Sequence, residues 1–217
     1  MKSFVAYPMD FEKILFPDPS ENSYSGKLIA HYELYRKVNH LRGSLVKCGI
    51  TARKGLTRLA LFRNLMSTTI PEKVVAFEKL TRKMYLENGG GDNGVLQYKT
   101  TDCAVDHVNL KHVLKQNEIT ENVDFVPGNV GDTIPYYLIE NPDLKISYLN
   151  IDFDDYESTL TTLQFFYPRL VQGGILILDN YYKKEEDHDA ANDYFQFLPI
   201  TVNCFSVDKG PHYIVRN

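Results

Sequence analysis

The chain has 217 residues, enough for one domain with a substantial core, and its hydrophobic (43%) and charged (24%) fractions are ordinary for a globular protein. A net charge of −4 argues against a general nucleic-acid surface, and no run approaches the roughly 20 apolar residues of a membrane span. Three widely spaced cysteines (Cys48, Cys103, Cys204) indicate reduced thiols, and the N-terminus lacks the apolar stretch of a signal peptide, so a cytoplasmic protein is expected.

The first 42 residues are predicted to form an arm followed by a helix. Residues 1–25 are irregular, rich in proline, serine and asparagine, and are interpreted as an arm or lid. Apolar residues then recur at helical spacing over 27–41, and Gly43 ends that helix.

Apolar runs and amphipathic segments alternate along the rest of the chain. Strands are predicted at 44–50, 73–80, 123–129, 144–152 and 174–180. Helices are predicted at 56–66, 101–117, 133–141, 156–170 and 188–198, the last with its cap near Asp187. The glycine-rich stretch 87–94 matches neither a phosphate loop nor a dinucleotide fingerprint and is interpreted as a surface loop. The last two apolar runs, joined around Asp208, Lys209 and Gly210, are predicted to form a hairpin.

The strands lack period-two alternation, which indicates burial on both faces and therefore a mostly parallel sheet in an α/β fold. No linker, repeat or low-complexity tract divides the chain. We therefore predict a single domain over residues 1–217, with 1–42 as the arm, helix and candidate lid and 43–217 as a Rossmann-like core.

Acid and amide side chains follow two consecutive strands of this predicted sheet. Asp152 and Asp154 end one apolar run, and Asp179 with Asn180 end the next. Ligands bind at the carboxyl ends of strands in such sheets, so these hard oxygen donors predict a divalent-metal site. The alternative is structural, with Asp154 or Asp155 capping the following helix and the 179–180 pair shaping a turn.

The other strand ends indicate a nucleoside site. The first loop (48–55) lacks the G-x-G-x-x-G pattern, which fits S-adenosylmethionine (AdoMet) better than a nicotinamide cofactor. Glu78 ends the second strand, where an acid could bind ribose hydroxyls or simply be a solvated loop acid. Asn129 ends the third, where it could bind an adenine edge or form a turn.

The run LKISYLNIDFDDYESTLTTLQFFYPRLVQGGILILDNYY (144–182) resembles the signature of the macrocin O-methyltransferase family. Looser similarity covers roughly residues 43–216, in LVKCG (45–49), LTRLALFR (56–63), TIPYYLIENPDLKIS (133–147), and at Ala191 and Asp193. The resemblance implies a class I methyltransferase fold with a mostly parallel seven-stranded sheet and an antiparallel C-terminal hairpin strand. It also implies AdoMet- and Mg²⁺-dependent methylation of a sugar hydroxyl.

Carried onto this sequence, the resemblance makes Asp152, Asp179 and Asn180 the Mg²⁺ ligands and Asp154 the general base. AdoMet would be held near residues at the first three strand ends. These are Cys48, Gly49, Glu78 and Asn129.

Four positions depart from the family pattern. Lys47 stands where the family has Glu, Arg53 or its neighbours where it has glycine, Asn129 where it has Asp, and Asn180 where it has a second Asp. The departures at 47, 53 and 129 leave open a degenerate member that binds a partner without catalysis. A metal-dependent hydrolase on a similar sheet is a further alternative. The sequence has no G-x-S-x-G motif that would support an α/β-hydrolase.

The expected partner is a sugar or glycosylated small molecule, with no nucleic acid and no membrane, and family members often self-associate. Most histidines are expected on the surface or on helix faces. The set is His31, His40, His107, His112, His188 and His212, of which His107 and His188, together with Tyr181, are minor candidates for contacting substrate.

Overall fold

Seven strands form one sheet in the computed structural model, which describes residues 22–49, 52–66, 73–79, 82–86, 96–100, 114–115, 122–181, 185–206 and 210–217. Its strands are β1 (Ser44–Gly49), β2 (Val74–Glu78), β5 (Val123–Pro127), β6 (Ile146–Asp152), β7 (Leu170–Leu178), β8 (Asn203–Cys204) and β9 (His212–Val215). A separate antiparallel pair consists of β3 (Arg82–Leu86) and β4 (Leu96–Thr100). The helices are α1 (Asn22–Val38), α2 (Ala52–Met66), α3 (Val130–Glu140), α4 (Tyr156–Phe166) and α5 (Glu185–Phe195), and a 3₁₀ turn spans Tyr167–Arg169.

The strand order is β5-β2-β1-β6-β7-β9-β8. The first five of these strands are parallel, whereas β9 runs antiparallel to both β7 and β8. The predicted seven-stranded, mostly parallel sheet with an antiparallel C-terminal hairpin is therefore confirmed. Strand order reverses between β1 and β6, so the crevice for ligands is expected at the carboxyl ends of these two strands.

Helices cover both faces of the sheet. On one face α1 and α2 pack on apolar side chains that include Leu45, Tyr148 and Ile177. On the other face α3, α4 and α5 pack on a second cluster that includes Phe77 and Leu149. Burial on both faces explains why β1 and β6 are almost continuously buried and why period-two alternation is absent from their sequences.

Helix α1 belongs to the core. Its residues Leu34, Tyr35 and Val38 are fully or almost fully buried against the sheet. A lid role for the N-terminal region remains a prediction, and residues 1–21 lie outside the described part of the chain. No helix among the described residues is both long and apolar enough to cross a membrane.

Element boundaries differ from the sequence predictions at most helix starts and at β7, which begins at Leu170, the last residue of the predicted helix 156–170, and not at residue 174. Helices α1, α2, α3 and α5 begin three to five residues earlier than predicted, because their polar first turns carry no apolar periodicity. Asp187 consequently lies inside α5 and not at its cap. The sequence reading also missed the β3–β4 pair. Apart from residues 114 and 115, which are helical, the predicted loop 87–94 and helix 101–117 fall outside the described residues.

Side-chain hydrogen bonds of two charged residues stabilise the turns before and after α4. Asp155 caps its start, with its side chain accepting a hydrogen bond of 2.9 Å from the backbone N–H of Ser158. Arg216 donates to the backbone carbonyls of Tyr167, Pro168 and Leu170, and so satisfies the carbonyls of the 3₁₀ turn.

Candidate functional site

Three of the predicted ligands meet at the carboxyl edge of β6 and β7. Asp152 is the last residue of β6, and Asp179 and Asn180 directly follow β7. The Asn180 amide donates to Asp152 Oδ1 at 2.9 Å and to the backbone carbonyl of Phe153 at 3.1 Å. The parallel pairing of the two strands thus brings residues 152, 179 and 180 together, as the sequence predicted.

A lysine from the neighbouring strand lies between the two carboxylates. The ammonium of Lys47 on β1 is 3.0 Å from Asp152 Oδ2 and 3.7 Å from Asp179 Oδ2. Its side chain is only 4% exposed. A Cβ placed on Gly55 would lie 2.8 to 2.9 Å from the Cγ, Cδ and Cε atoms of Lys47. The lysine stem therefore runs through a slot that exists because residue 55 has no side chain.

Helix α1 brings two more basic side chains to the same carboxylates. Lys27 Nζ is 3.4 Å from Asp179 Oδ2 and 4.0 Å from Asp152 Oδ1. His31, one helical turn later, places Nε2 at 3.0 Å from Asp179 Oδ1 and Nδ1 at 2.6 Å from the Tyr148 hydroxyl. His31 is 3% exposed and lies on the core-facing side of α1, and a helix face is one of the two locations expected for the histidines.

The protonation states of this chain of contacts follow from burial. Burial lowers the pKa of His31 despite the opposing charge of Asp179, and burial raises the pKa of Tyr148. Burial alone would raise the pKa of Asp179, but His31 and the two lysines outweigh it and hold that pKa well below its usual value. Neutral His31 therefore accepts from the Tyr148 hydroxyl and donates to ionised Asp179.

A cavity of about 160 Å³ opens beside this cluster. Its polar lining comprises Lys27, His31, Lys47, Arg58, Tyr148, Asn150, Asp152 and Asp179. Asn150 pairs with Lys47 in the β1–β6 register and is 3% exposed. Its amide nitrogen is buried and finds no hydrogen-bond acceptor among the described residues. The cavity wall thus offers several donors as well as two carboxylates.

Asp154 and Asp155 have separate positions in the loop between β6 and α4. The helix cap is Asp155, which also binds the Lys79 ammonium at 2.9 Å. Asp154 is half-buried one residue earlier. Of the two candidates for the cap, the structure therefore selects Asp155.

The predicted cofactor residues lie at three neighbouring strand ends. Cys48 is fully buried in the core under α3 and α4, so only its backbone can face a ligand. Gly49 has φ = 150°, and a Cβ there would come within 2.5 Å of the Asp152 carbonyl oxygen. Glu78 is 5% exposed and is not a solvated loop acid. Asn129 caps α3 by accepting from Gly131 N at 3.2 Å, which is the turn-forming alternative.

The profile of the macrocin-O-methyltransferase (TylF) family matches residues 76–215, well over half of the chain. The chain belongs to the macrocin-O-methyltransferase (TylF) family. The matched range contains the strand ends at Glu78, Asn129, Asp152 and Asp179.

Curated relatives of this chain are similar over shorter segments. Demethyldecarbamoylnovobiocin O-methyltransferase of Streptomyces niveus is 33% identical over 98 residues, which cover 45% of this chain and 36% of that protein. Mycinamicin III 3''-O-methyltransferase of Micromonospora griseorubida is 36% identical over 63 residues, covering 29% of this chain and 23% of that protein. The matches thus span about a third or less of these relatives' own lengths.

Solved structures share the fold over nearly the whole chain. The crystal structure of CalS11, a calicheamicin methyltransferase, superposes with a TM-score of 0.76 at 23% identity, covering 96% of this chain and 86% of that one. The S-adenosylhomocysteine-bound methyltransferase PaMTH1 of Podospora anserina gives a TM-score of 0.54 at 11% identity, covering 95% and 86%. At these identities the likeness establishes the class I methyltransferase fold.

The magnesium site expected from the family can be tested against the side chains present. Among the described residues, no group of three His, Cys, Asp or Glu side chains is arranged to hold a metal ion. Two ammonium groups lie within 4.0 Å of both carboxylates. At an effective dielectric of about 20, two unit charges 4 Å apart interact by about 4 kcal/mol, so each ammonium group would repel a divalent ion at that distance by about 8 kcal/mol. The carboxylates that would offset this repulsion are already neutralised by the same two ammonium groups. This arrangement does not fit Mg²⁺.

Sequence reasoning missed Lys27, His31, Arg58 and Asn150. One signal was available for His31, because positions 28, 31, 32 and 35 share a helical face that is otherwise apolar. A histidine on a core-facing stripe needs a buried partner. That partner, Asp179, is 148 residues away along the chain, so the pattern alone could not name it.

Proposed function

We propose that this protein transfers a methyl group from AdoMet to a hydroxyl of a sugar or glycosylated small molecule. The observation that carries the proposal is the family match over residues 76–215, which includes the acidic ends of β2, β6 and β7. Named relatives support the acceptor class, since one is an O-methyltransferase of a rhamnosyl-tetracenomycin from Streptomyces olivaceus. The activity and the acceptor remain proposals for this chain.

AdoMet fits the ends of β1, β2 and β5. The buried carboxylate of Glu78 is suited to accept hydrogen bonds from ribose hydroxyls. Gly49 leaves the end of β1 without a side chain, so the backbone at 48–49 can approach a ligand closely. Asn129 uses its side-chain oxygen for the α3 cap, which leaves its amide N–H groups to contact a base edge. When bound, AdoMet supplies a methyl group on a positively charged sulfur.

Asp154 is proposed as the general base. It lies between the end of β6 and the capped start of α4, and it is half-buried beside the strand ends. Its carboxylate would accept the proton of the acceptor hydroxyl as the oxygen attacks the methyl group. A positioned base of this kind contributes about 10²- to 10⁴-fold in rate.

The sequence prediction also assigned Mg²⁺ to Asp152, Asp179 and Asn180. That assignment is a prediction against which the ammonium groups of Lys27 and Lys47, beside both carboxylates, argue, and no step proposed above passes through a metal. A cytoplasmic location, self-association, and a lid role for the N-terminal arm likewise remain predictions.

The test combines binding with product analysis. Calorimetry with AdoMet and S-adenosylhomocysteine should show a single site, and incubation with nucleotide-linked deoxysugars and glycosylated antibiotic precursors should yield an acceptor heavier by one methyl group. Asp154→Asn should slow product formation by about 10²- to 10⁴-fold without weakening AdoMet binding, whereas Glu157→Gln, an exposed acid on α4, should change neither. Absence of AdoMet binding at millimolar ligand would instead favour the non-catalytic binding protein.

A further inference from the structure

Lys27, Lys47, Asp152 and Asp179 form a compact cluster whose formal charges cancel. Each lysine is within 4.0 Å of both carboxylates, and His31 holds the remaining oxygen of Asp179. The carboxylates expected to bind a divalent ion therefore already have two cations from the chain itself.

Lys47 cannot readily leave this cluster. Its stem is enclosed by α2 at Gly55, and its side chain is 4% exposed. Lys27 differs, because it reaches the cluster from α1 and keeps 22% of its side chain exposed.

We propose that the ammonium groups of Lys27 and Lys47 take the place of a divalent metal ion in this protein. Lys47, which is buried on β1, neutralises Asp152 and Asp179 from the neighbouring strand. Lys27, at the cavity wall, donates hydrogen bonds to the acceptor oxygens and stabilises the negative charge that develops when Asp154 removes the proton. The protein therefore methylates without a metal. The catalytic role of Lys27 rests on the proposed function. The exclusion of a metal ion by the two lysines does not.

The geometry supports this division between the two lysines. An ammonium has three N–H donors, and Lys27 has one close carboxylate oxygen, at 3.4 Å, with the second at 4.0 Å. It lines the same cavity as Asn150, whose buried amide nitrogen has no acceptor among the described residues. The partly exposed ammonium of Lys27 at the cavity wall, with a second polar residue lining the same cavity, suits an acceptor that presents neighbouring hydroxyl oxygens.

The first experiment measures metal binding directly and needs no substrate. The wild-type protein, stripped with a chelator, is titrated with Mn²⁺ and followed by electron paramagnetic resonance. We expect no site at submillimolar Mn²⁺ in the wild type and a site in Lys47→Glu, which removes the blocking cation and adds a ligand. Submillimolar Mn²⁺ binding by the wild type would overturn the inference whatever the activity. Lys27→Met is measured in parallel in case Lys47→Glu does not fold, and it should also gain affinity for Mn²⁺.

The second experiment separates positioning from stability. Lys27→Met should raise KM for the acceptor and lower kcat/KM by roughly ten- to a hundredfold, with AdoMet affinity unchanged by calorimetry. The matched control, Lys37→Met, removes an exposed lysine from the same helix and should change neither. If Lys27→Met lowers only the melting temperature, the lysine is merely structural and the proposal fails.

The chelator distinguishes this proposal from the proposed function. Methyl transfer that continues unchanged with excess chelator, and is not raised by added Mg²⁺ or Mn²⁺, supports both. Transfer that requires an added metal overturns the lysine proposal and leaves the methyltransferase standing. Failure to bind AdoMet overturns the proposed function alone, because the Mn²⁺ titration still decides whether the lysines exclude metal.

Discussion

The carboxyl edge of the sheet has two halves of opposite charge. The β6–β7 half presents Asp152 and Asp179, which lie near each other because consecutive parallel strands end side by side, and Asp154 follows in the loop after β6. The half formed by α1, β1 and α2 presents Lys27, Lys47 and Arg58 to the same cavity. A row of strand-end acids therefore does not by itself define a metal site, because side chains from the neighbouring strand and helices decide whether the carboxylates are available.

The acidic half is expected to matter most for rate. Asp154→Asn keeps the shape of the side chain and removes the base, so kcat should fall by about 10²- to 10⁴-fold. Steady-state kinetics with a methylated product as readout checks this, and AdoMet affinity serves as the control. A variant that retains more than about a tenth of wild-type kcat would remove Asp154 from the role of base.

The connection between the two halves can be broken at His31. His31→Leu removes both buried hydrogen bonds and leaves the Tyr148 hydroxyl and one Asp179 oxygen without this partner. We expect a loss of about 2 to 4 kcal/mol in the free energy of unfolding. Urea unfolding measures it. Adding Tyr148→Phe should recover part of the lost stability, because it removes the buried hydroxyl that His31→Leu leaves without its partner. No recovery would argue against the chain of hydrogen bonds.

The slot that holds Lys47 is tested at Gly55. In Gly55→Ala the new Cβ would meet the lysine stem at 2.8 Å, so strain of about 1 to 3 kcal/mol should exceed the roughly 1 kcal/mol that alanine contributes to helix propensity. The control is Gly131→Ala in α3, where the nearest atom lies at 3.6 Å. Thermal unfolding should show a decrease for the first variant only, and the decrease should disappear in a Lys47→Ala background.

The smallest expected effect concerns Asp155, which belongs to the acidic half but has a structural role. Burial alone would raise its pKa, but hydrogen bonds from Lys79 and Ser158 outweigh it and hold the pKa below the usual value. Its stabilising effect is therefore present above the unfolded-state pKa of about 3.9 and is lost as pH falls through the folded-state value. Asp155→Ala should cost about 1 kcal/mol at neutral pH and less in acid, measured by urea unfolding across that range.

Much of the fold and half of the site were predictable from local patterns. The five parallel strands appear as apolar runs, and their polar ends identify residues 78, 129, 152 and 179 as candidates. The β3–β4 pair was not predictable in this way, because its strands, RKMYL and LQYKT, are not apolar runs and they flank a glycine-rich stretch that carries no hydrophobic period. Likewise, Asp154 and Asp155 are equivalent candidates for the cap in sequence, and only the backbone geometry at 155 distinguishes them.

The sequence by itself determined the sheet, its family and the acids at its edge, because apolar periodicity and strand-end residues are properties of short segments. The tertiary structure alone decided what those acids contact. Lys47 meets Asp152 across 105 residues, and His31 meets Asp179 across 148. Such contacts depend on how α1 and α2 pack over the switch point, which no local pattern encodes. The result is a strand-end edge that the sequence predicted to bind a metal, and whose carboxylates contact one cation from strand β1 and one from helix α1.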